Sequence, residues 1–382
     1  MMNYNNKTIF LLYYFLIIVF LISTNTYFSY DESLIFGGAD GRSYISISNS
    51  FPSISDQKMM PIHAERFFFY YVFGFFSKIL TIEVYNLYRI LVFLIIGFIN
   101  FFLILILKKK KIEINLILIF LTLINLNPYI SRYYIAVPTI LNDLIFILGI
   151  TLLIYALVNN KNTFFYLSLI ILFFSRQTSV AIIISLMATK LIYTNNFKIN
   201  IQSIVIAIAT FLIIYMINFY YSSHLFDLKG YRWQQYSIET RLFGFFDENI
   251  NLKQKIIFLL LPLLSYLPLI LFFFIFFNFK NLKKIICNNP NIFFYLLFSI
   301  LIILQPILSG VNITGKNIIR LTTLAYIPIL IILLEIIQKN YSIKKIPMIM
   351  IYFFITIWSL HPTFSNIKIY TFFATTINNN FK

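Results

Sequence analysis

Three short stretches and one lone carboxylate hold most of the side chains that could do chemistry. "GGADGRSY" (37–44) places Asp40 and Arg42 two residues apart among glycines, and "PIHAER" (61–66) adds His63, Glu65 and Arg66. An aspartate so placed can act as a general base toward a hydroxyl, or ligate a metal. Glycines at 37, 38 and 41 would let the backbone turn tightly and approach a ligand. On pattern alone, however, "DG" reads first as a solvated turn. "FFSRQTSV" (173–180) interrupts an apolar run with Arg176 and Gln177. Non-helical backbone at that depth is tolerated where it is buried in protein or lines a wet cavity, so a polar cavity is expected there. "SGVNITGKNIIR" (309–320) sets Gly310, Gly315, Lys316, Asn317 and Arg320 ahead of a helix expected from about 318. Amide groups at that helix start, with Lys316 and Arg320, could hold a phosphate. The same stretch also reads as a tight turn between helices, and its spacing is not that of a P-loop. Asp143, in "VPTILNDLIFILG", falls a few residues inside an apolar segment. An intramembrane carboxylate is costly and marks a functional position by default, or else pairs with a neighbour such as Arg132 or Arg176.

Other chemistries find no support. There is no G-x-S-x-G, H-E-x-x-H or dinucleotide fingerprint. Cys287 is the only cysteine, which excludes an internal disulfide and a cysteine-rich zinc site. No cofactor is assigned. One carboxylate beside histidine and arginine does not make a divalent-metal site, and Asp40 with Asp56 is too loose a pair.

These residues must be positioned by apolar segments. Across 382 residues, 60% are hydrophobic and only 11% charged, with a mean hydropathy of +0.85. A soluble domain carries roughly 25% charged residues, so an integral membrane protein is expected, with all-α architecture. Runs long enough to cross a bilayer fall near 8–29, 85–107, 138–158, 200–221, 256–279, 291–308, 321–337 and 346–360. The run 8–29 reads as a retained anchor, since "STNTYFSYD" lacks a small-x-small cleavage site. The stretch 113–126 is short for a span, and 163–193 reads as two short helices meeting near Arg176. "RFFFYYVFGFFSKIL" (66–80) reads as an interfacial helix. The expected total is about eleven spans in a single membrane domain, 1–382, with no separate soluble domain.

Lysines set the orientation. "KKKK" (108–111), "NNKN" (159–162), "KNLKK" (280–284) and "QKNYSIKK" (338–345) fall on one side, which is then cytoplasmic. The net charge of +17 follows from such loops rather than from nucleic-acid binding. The opposite face receives the long first loop 30–66, the turn 125–138, the second loop 222–255 and the segments 309–320 and 359–365. Arg42, Arg66, Arg132, Arg232, Arg241 and Arg320 all fall there, with His63, His224 and His361. Lysine inside suits retention and lipid electrostatics. Arginine outside suits bidentate binding of phosphate or carboxylate. Longer outer loops would also hold more residues of every type.

"ADGRSY", followed by "HAERFFFYYVFGFFSK", resembles the entry region of type C membrane glycosyltransferases. That region runs Asp-Gly-x-x-Tyr, a polar stretch, then an Arg opening a helix that lies on the membrane. "LNPYISRYYIAVPTILNDLIFILG", "SRQTS" and "GVNITGKNIIRL" are similar to segments of bacterial members of the superfamily. The resemblance implies transfer of a sugar from a polyprenyl-phosphate donor to a lipid-linked glycan or other acceptor, on the outer face of the bacterial cytoplasmic membrane. It implies Asp40 as the carboxylate that activates or orients the acceptor hydroxyl. Arg42, His63, Arg66, Arg132, Asp143, Arg176, Gln177, Lys316, Asn317 and Arg320 become substrate or phosphate contacts. Many members carry a soluble C-terminal domain that has no counterpart here. Two other functions fit the same layout: a transporter or flippase of a lipid-linked or anionic substrate, and an outer-face glycan polymerase or ligase built on the loop 222–255.

Overall fold

The computed structural model describes residues 4–25, 38–54, 59, 61–194, 197–225, 243–276, 288–314, 317–340 and 348–360. Within them the chain is all-helical, with no β-strand. The helices are α1 (Tyr4–Asn25), α2 (Gly38–Ser50), α3 (Pro61–Ala64), α4 (Phe67–Leu80), α5 (Val84–Lys109), α6 (Ile114–Asn125), α7 (Ser131–Ala136), α8 (Leu141–Asn159), α9 (Asn162–Ser175), α10 (Val180–Ile192), α11 (Ile201–Ser222), α12 (Leu252–Leu260), α13 (Leu263–Phe276), α14 (Pro290–Leu308), α15 (Gly310–Thr314), α16 (Ile318–Thr322), α17 (Tyr326–Asn340) and α18 (Met348–Leu360).

Five helices are long and apolar enough to cross a membrane: Val84–Lys109, Leu141–Asn159, Ile201–Leu225, Pro290–Leu308 and Ile318–Gln338. A sixth crossing results if α12 and α13 act together, and six further apolar helices are shorter. By length and composition the described residues thus hold five or six candidate spans, against the expected total of about eleven. The expected single span at 256–279 is bent by 57° where α12 meets α13. Pro262 lies at that break, and a proline lacks the N–H that would continue the ladder. The run 163–193 forms two short helices meeting at Arg176, as the polar interruption predicts. The "glycine-hinged turn" at 37–44 is corrected: from Gly38 onward it is the start of α2, with Asp40 in the first helical turn.

The core is built on two helices. The span windows in α8 and in Ile318–Gln338 are 78% and 83% buried, against 22% for Ile201–Leu225. Helix α8 packs on α5, α9 and α17, while α14 packs on α10 and α17. Gly149 allows the α8–α9 contact, since a Cβ there would stand 2.7 Å from Leu172 Cγ. Helix α8 ends at Asn160, whose left-handed φ of 54° stops the helix ahead of the turn into α9.

Helix α2 buries Tyr44 and Ile47 in the core and is held by polar ties as well. Ser48 Oγ donates to the Tyr70 carbonyl, Tyr88 Oη donates to the Tyr44 carbonyl at 3.1 Å, and the rings of Tyr44 and Tyr70 stack at 4.1 Å. At Gly74 the two helices nearly touch: a Cβ there would come within 2.2 Å of the Ser48 carbonyl oxygen. Tyr70 Oη then donates to the Thr139 carbonyl at 2.9 Å, and Asn142 Nδ2 to the Arg66 carbonyl at 3.3 Å. The α2–α4 unit is thereby fixed against the start of α8, beside Asp143.

Candidate functional site

Five segments distant in sequence bring ionisable groups to one place. Helix α2 supplies Asp40, the short α3 and the turn after it supply His63 and Arg66, the first turn of α8 supplies Asp143, the α9–α10 break supplies Arg176, and α16 supplies Arg320. His63 Nε2 lies 2.8 Å from Asp40 Oδ1. Arg320 bridges the two carboxylates, with Nη2 3.8 Å from Asp40 Oδ2 and Nε 3.5 Å from Asp143 Oδ2. Arg176 donates from Nη1 to Asp143 Oδ1. Arg66 donates from Nη1 to Tyr44 Oη at 3.3 Å.

The local structure explains each placement. Asp40 sits in the first turn of α2, where the helix dipole favours a carboxylate. Tyr44 follows four residues later and so shares its face. Arg176 has extended backbone, φ −156° and ψ 142°, because the helix has ended and the 3-10 turn Gln177–Ser179 has not begun. That break turns its side chain toward Asp143 instead of along α9. Arg66 precedes the first residue of α4 and is 5% exposed.

Burial makes this cluster electrostatically demanding. Asp143 is fully buried, and Arg176 and Arg320 are 4% and 7% exposed. Only Asp40 keeps substantial access, at 29% of its side chain. Its burial raises the carboxyl pKa. The hydrogen bond and charge of His63, then Arg320 and Arg66, outweigh that and hold it well below the usual carboxylate range. Burial pushes the Tyr44 phenol up, so it stays protonated beside Arg66.

The cluster is rich in guanidinium. Arg66, Arg176 and Arg320 outnumber the carboxylates Asp40 and Asp143 by one, with His63 on Asp40 and Glu65, held by Gln177, on the adjoining wall. Among the described residues, Arg66 Nε, Arg176 Nε and Arg320 Nη1 are buried without a hydrogen bond to an acceptor, as is Tyr134 Oη; Arg320 Nε and Asp143 Oδ2 face each other at 3.5 Å as an ion pair without a formed hydrogen bond. Buried guanidinium donors left unpaired are costly. An anion with several acceptor oxygens would satisfy them, and guanidinium is the group best shaped to hold one.

Not every candidate joins the cluster. Arg42 lies on the exposed side of α2. Arg132 is fully buried elsewhere, its Nη1 donating to the Ser359 carbonyl and Oγ at 2.8 Å and its guanidinium over the Phe20 ring. Its observed bonds tie α7 to α18 and α1. Gln177 points beside the cluster, donating from Nε2 to Glu65 Oε2 at 2.8 Å. Asn317 is exposed and its side chain makes no cap hydrogen bond at that helix start. Arg320 reaches the carboxylates instead. Lys316, Asp56, Arg232, Arg241 and His361 lie outside the described residues. No group of three or more His, Cys, Asp or Glu gathers among the described residues.

No family model, curated protein or solved structure matches this chain. The site's meaning therefore rests on its own geometry. That geometry also adds residues which the sequence did not single out. Tyr44 sits against Arg66, and Tyr133 and Tyr134 lie within the field of Arg320 and Asp143. The four-residue spacing of Asp40 and Tyr44 signals a shared face only once 38–50 is known to be helical.

Proposed function

We propose that the chain is a membrane glycosyltransferase that takes a sugar from a polyprenyl-phosphate donor, with its site on the extracytoplasmic side. One observation carries this reading: a buried cluster of three guanidinium groups, with Arg66 Nε, Arg176 Nε and Arg320 Nη1 making no hydrogen bond among the described residues, beside one partly accessible carboxylate. The first part suits a phosphate, and the second suits an acceptor hydroxyl. Long apolar helices fit a substrate that arrives in the bilayer.

In the proposed reaction the acceptor oxygen attacks the anomeric carbon. The bond from that carbon to the phosphate oxygen breaks, and prenyl phosphate departs with the electron pair. Arg320, Arg176 and Arg66 face the phosphate and stabilise its growing charge. Asp40 accepts a hydrogen bond from the acceptor hydroxyl and orients it. Its depressed pKa makes it a weak base. Proton transfer to it therefore comes late, once the attacking oxygen has become acidic. His63 holds the other carboxylate oxygen and fixes its direction. The decisive experiment compares a strain lacking the gene with strains carrying the wild-type or Asp40→Asn gene, reading lipid-linked and surface glycans by mass spectrometry. Loss of a glycan that wild type restores and Asp40→Asn does not is the expected result. An unchanged profile on deletion overturns the reading.

A transporter remains the second reading, because a second helix break, at Leu261–Pro262, accompanies the one at Arg176. The two breaks are chemically unlike. Arg176 meets a carboxylate, whereas the segment around Pro262 is apolar. Substrate exchange across sealed vesicles, with no glycan formed, would favour transport.

A further inference from the structure

Beside the charge cluster lies a narrow cleft between α9, α11 and the turn before α4, lined by Glu65, Gln177 and Asn218 with Phe211, Tyr215 and Phe219. Its interior takes about one water-sized group. Glu65 and Gln177 are the chain neighbours of Arg66 and Arg176, so cleft and cluster share their walls. Asn218 is only 7% exposed, and its Oδ1 has no hydrogen-bond partner among the described residues. A buried amide oxygen on the wall of a cleft calls for a donor from a ligand. Gln177 Nε2 is bonded to Glu65 Oε2, which fixes both heads in place. On α11, Phe211, Tyr215 and Phe219 form a ladder four residues apart, with neighbouring rings 21° from parallel at 6.2 and 6.5 Å.

We infer that this cleft is a hydroxyl-reading subsite for the neutral, polyhydroxylated part of a molecule whose phosphate sits on the arginine cluster. The inference rests on the reading of that cluster given above. A carboxylate and an amide oxygen accept from hydroxyls, and the Gln177 and Asn218 amides can also donate. An ammonium group would be attracted by Glu65 but repelled by the guanidinium groups next door, so neutral hydroxyls fit better. The narrow interior admits one hydroxyl from a ring that rests outside on the aromatic faces.

The test uses purified full-length protein in lipid nanodiscs and measures Kd for farnesyl phosphate and for its hexose-, N-acetylhexosamine-, pentose- and aminopentose-linked forms. Wild type should bind one neutral sugar-linked form about tenfold more tightly than farnesyl phosphate. Gln177→Ala and Asn218→Ala should each bring that ratio to near one, while the Kd for farnesyl phosphate stays within about twofold. That unchanged Kd also shows that the variants are folded. Equal binding of every sugar-linked form and of farnesyl phosphate by wild type overturns the inference, as does a parallel loss of both in the variants. Preference for the aminopentose form alone overturns the hydroxyl assignment. Failure of wild type to bind farnesyl phosphate at all instead sinks the reading of the arginine cluster, and the inference with it.

Discussion

Two ion pairs mark the two ends of the span Ile318–Gln338. Near its start, Arg320 joins the Asp143–Arg176 pair. Fifteen residues on, Glu335 pairs with Lys110, which caps the end of α5. A helix rises 1.5 Å per residue, so the two sites stand about 22 Å apart. Both link segments remote in sequence, but they differ in what happens when a partner is lost. Lys110 is a long flexible stem whose side chain is 17% exposed, and such an ammonium can swing to water. Arg176 and Arg320 are enclosed, and their guanidinium groups have no such exit. The lysine end ties a helix terminus with a group that can reach water, and the arginine end holds enclosed guanidinium groups that can be satisfied only from within.

The largest expected effect comes from Asp143→Ala. It leaves Arg176 buried without a carboxylate and Arg320 with only Asp40, 3.8 Å away, and should cost about 3–5 kcal/mol of stability. Thermal unfolding in detergent, followed by intrinsic fluorescence, measures it. Anionic ligand should restore part of the loss, since a phosphate can substitute for the carboxylate. A loss below about 1 kcal/mol would show that Arg176 and Arg320 reach water after all, and would erase the contrast between the two ends.

Gly74→Ala comes next. Its Cβ would meet the Ser48 carbonyl at 2.2 Å, a backbone atom that cannot swing aside. Overpacking of this kind costs about 1–3 kcal/mol. It should also weaken phosphate binding, because α2 carries Asp40 into the cluster. Stability lost with phosphate affinity unchanged would show that α2 moves without disturbing the arginines.

How far the sequence reveals these two regions depends on local pattern. Asp143 and Arg176 were recognisable as charges inside apolar runs, whereas Asp40, His63, Arg66 and Arg320 fell in stretches that also read as loops or turns and gained weight through the resemblance. The break at Arg176 was recognisable because polar residues interrupt an apolar run. What pattern cannot supply is side-chain direction. Arg42 is two residues from Asp40 and on a helix therefore points about 200° away; in a turn both could have faced one ligand. Arg132 and Arg176 look alike in sequence, yet one is taken up by Ser359 and the other by Asp143. The Lys110–Glu335 pair joins residues 225 apart, which no local window registers. Pro262 could have been read as a break, but the apolar residues on both sides made 256–279 look continuous.

A smaller effect separates the acidic groups by pH. The Asp40 carboxyl is held below its ordinary value of 3.8, so its interactions contribute stability fully above that value. Below it the unfolded chain binds a proton that the folded site resists, and the contribution is lost as pH falls through the lower folded value. The difference in Tm between wild type and Asp40→Asn attributable to this carboxyl should therefore change little between about pH 7 and 5, and shrink only below about pH 4. Shrinkage already at pH 6 would mean that Asp40 is not held as an ion by His63, Arg320 and Arg66.

Glu335→Gln should have the smallest effect of all. It removes a charge at a helix end where Lys110 has water within reach. The Lys110 carbonyl still accepts from Gln338 Nε2 at 3.0 Å, so the α5–α17 contact keeps a second tie. The expected cost is about 1 kcal/mol or less. Asp143→Ala and Glu335→Gln can be combined to test independence. Sites about 22 Å apart with no shared partner should add to within about 0.5 kcal/mol. A larger coupling would mean that the span Ile318–Gln338 passes strain from one end to the other. The arginine cluster would then be linked to the lysine face through the helix both share, and its ligand affinity should change in Glu335→Gln although that residue is far from the ligand.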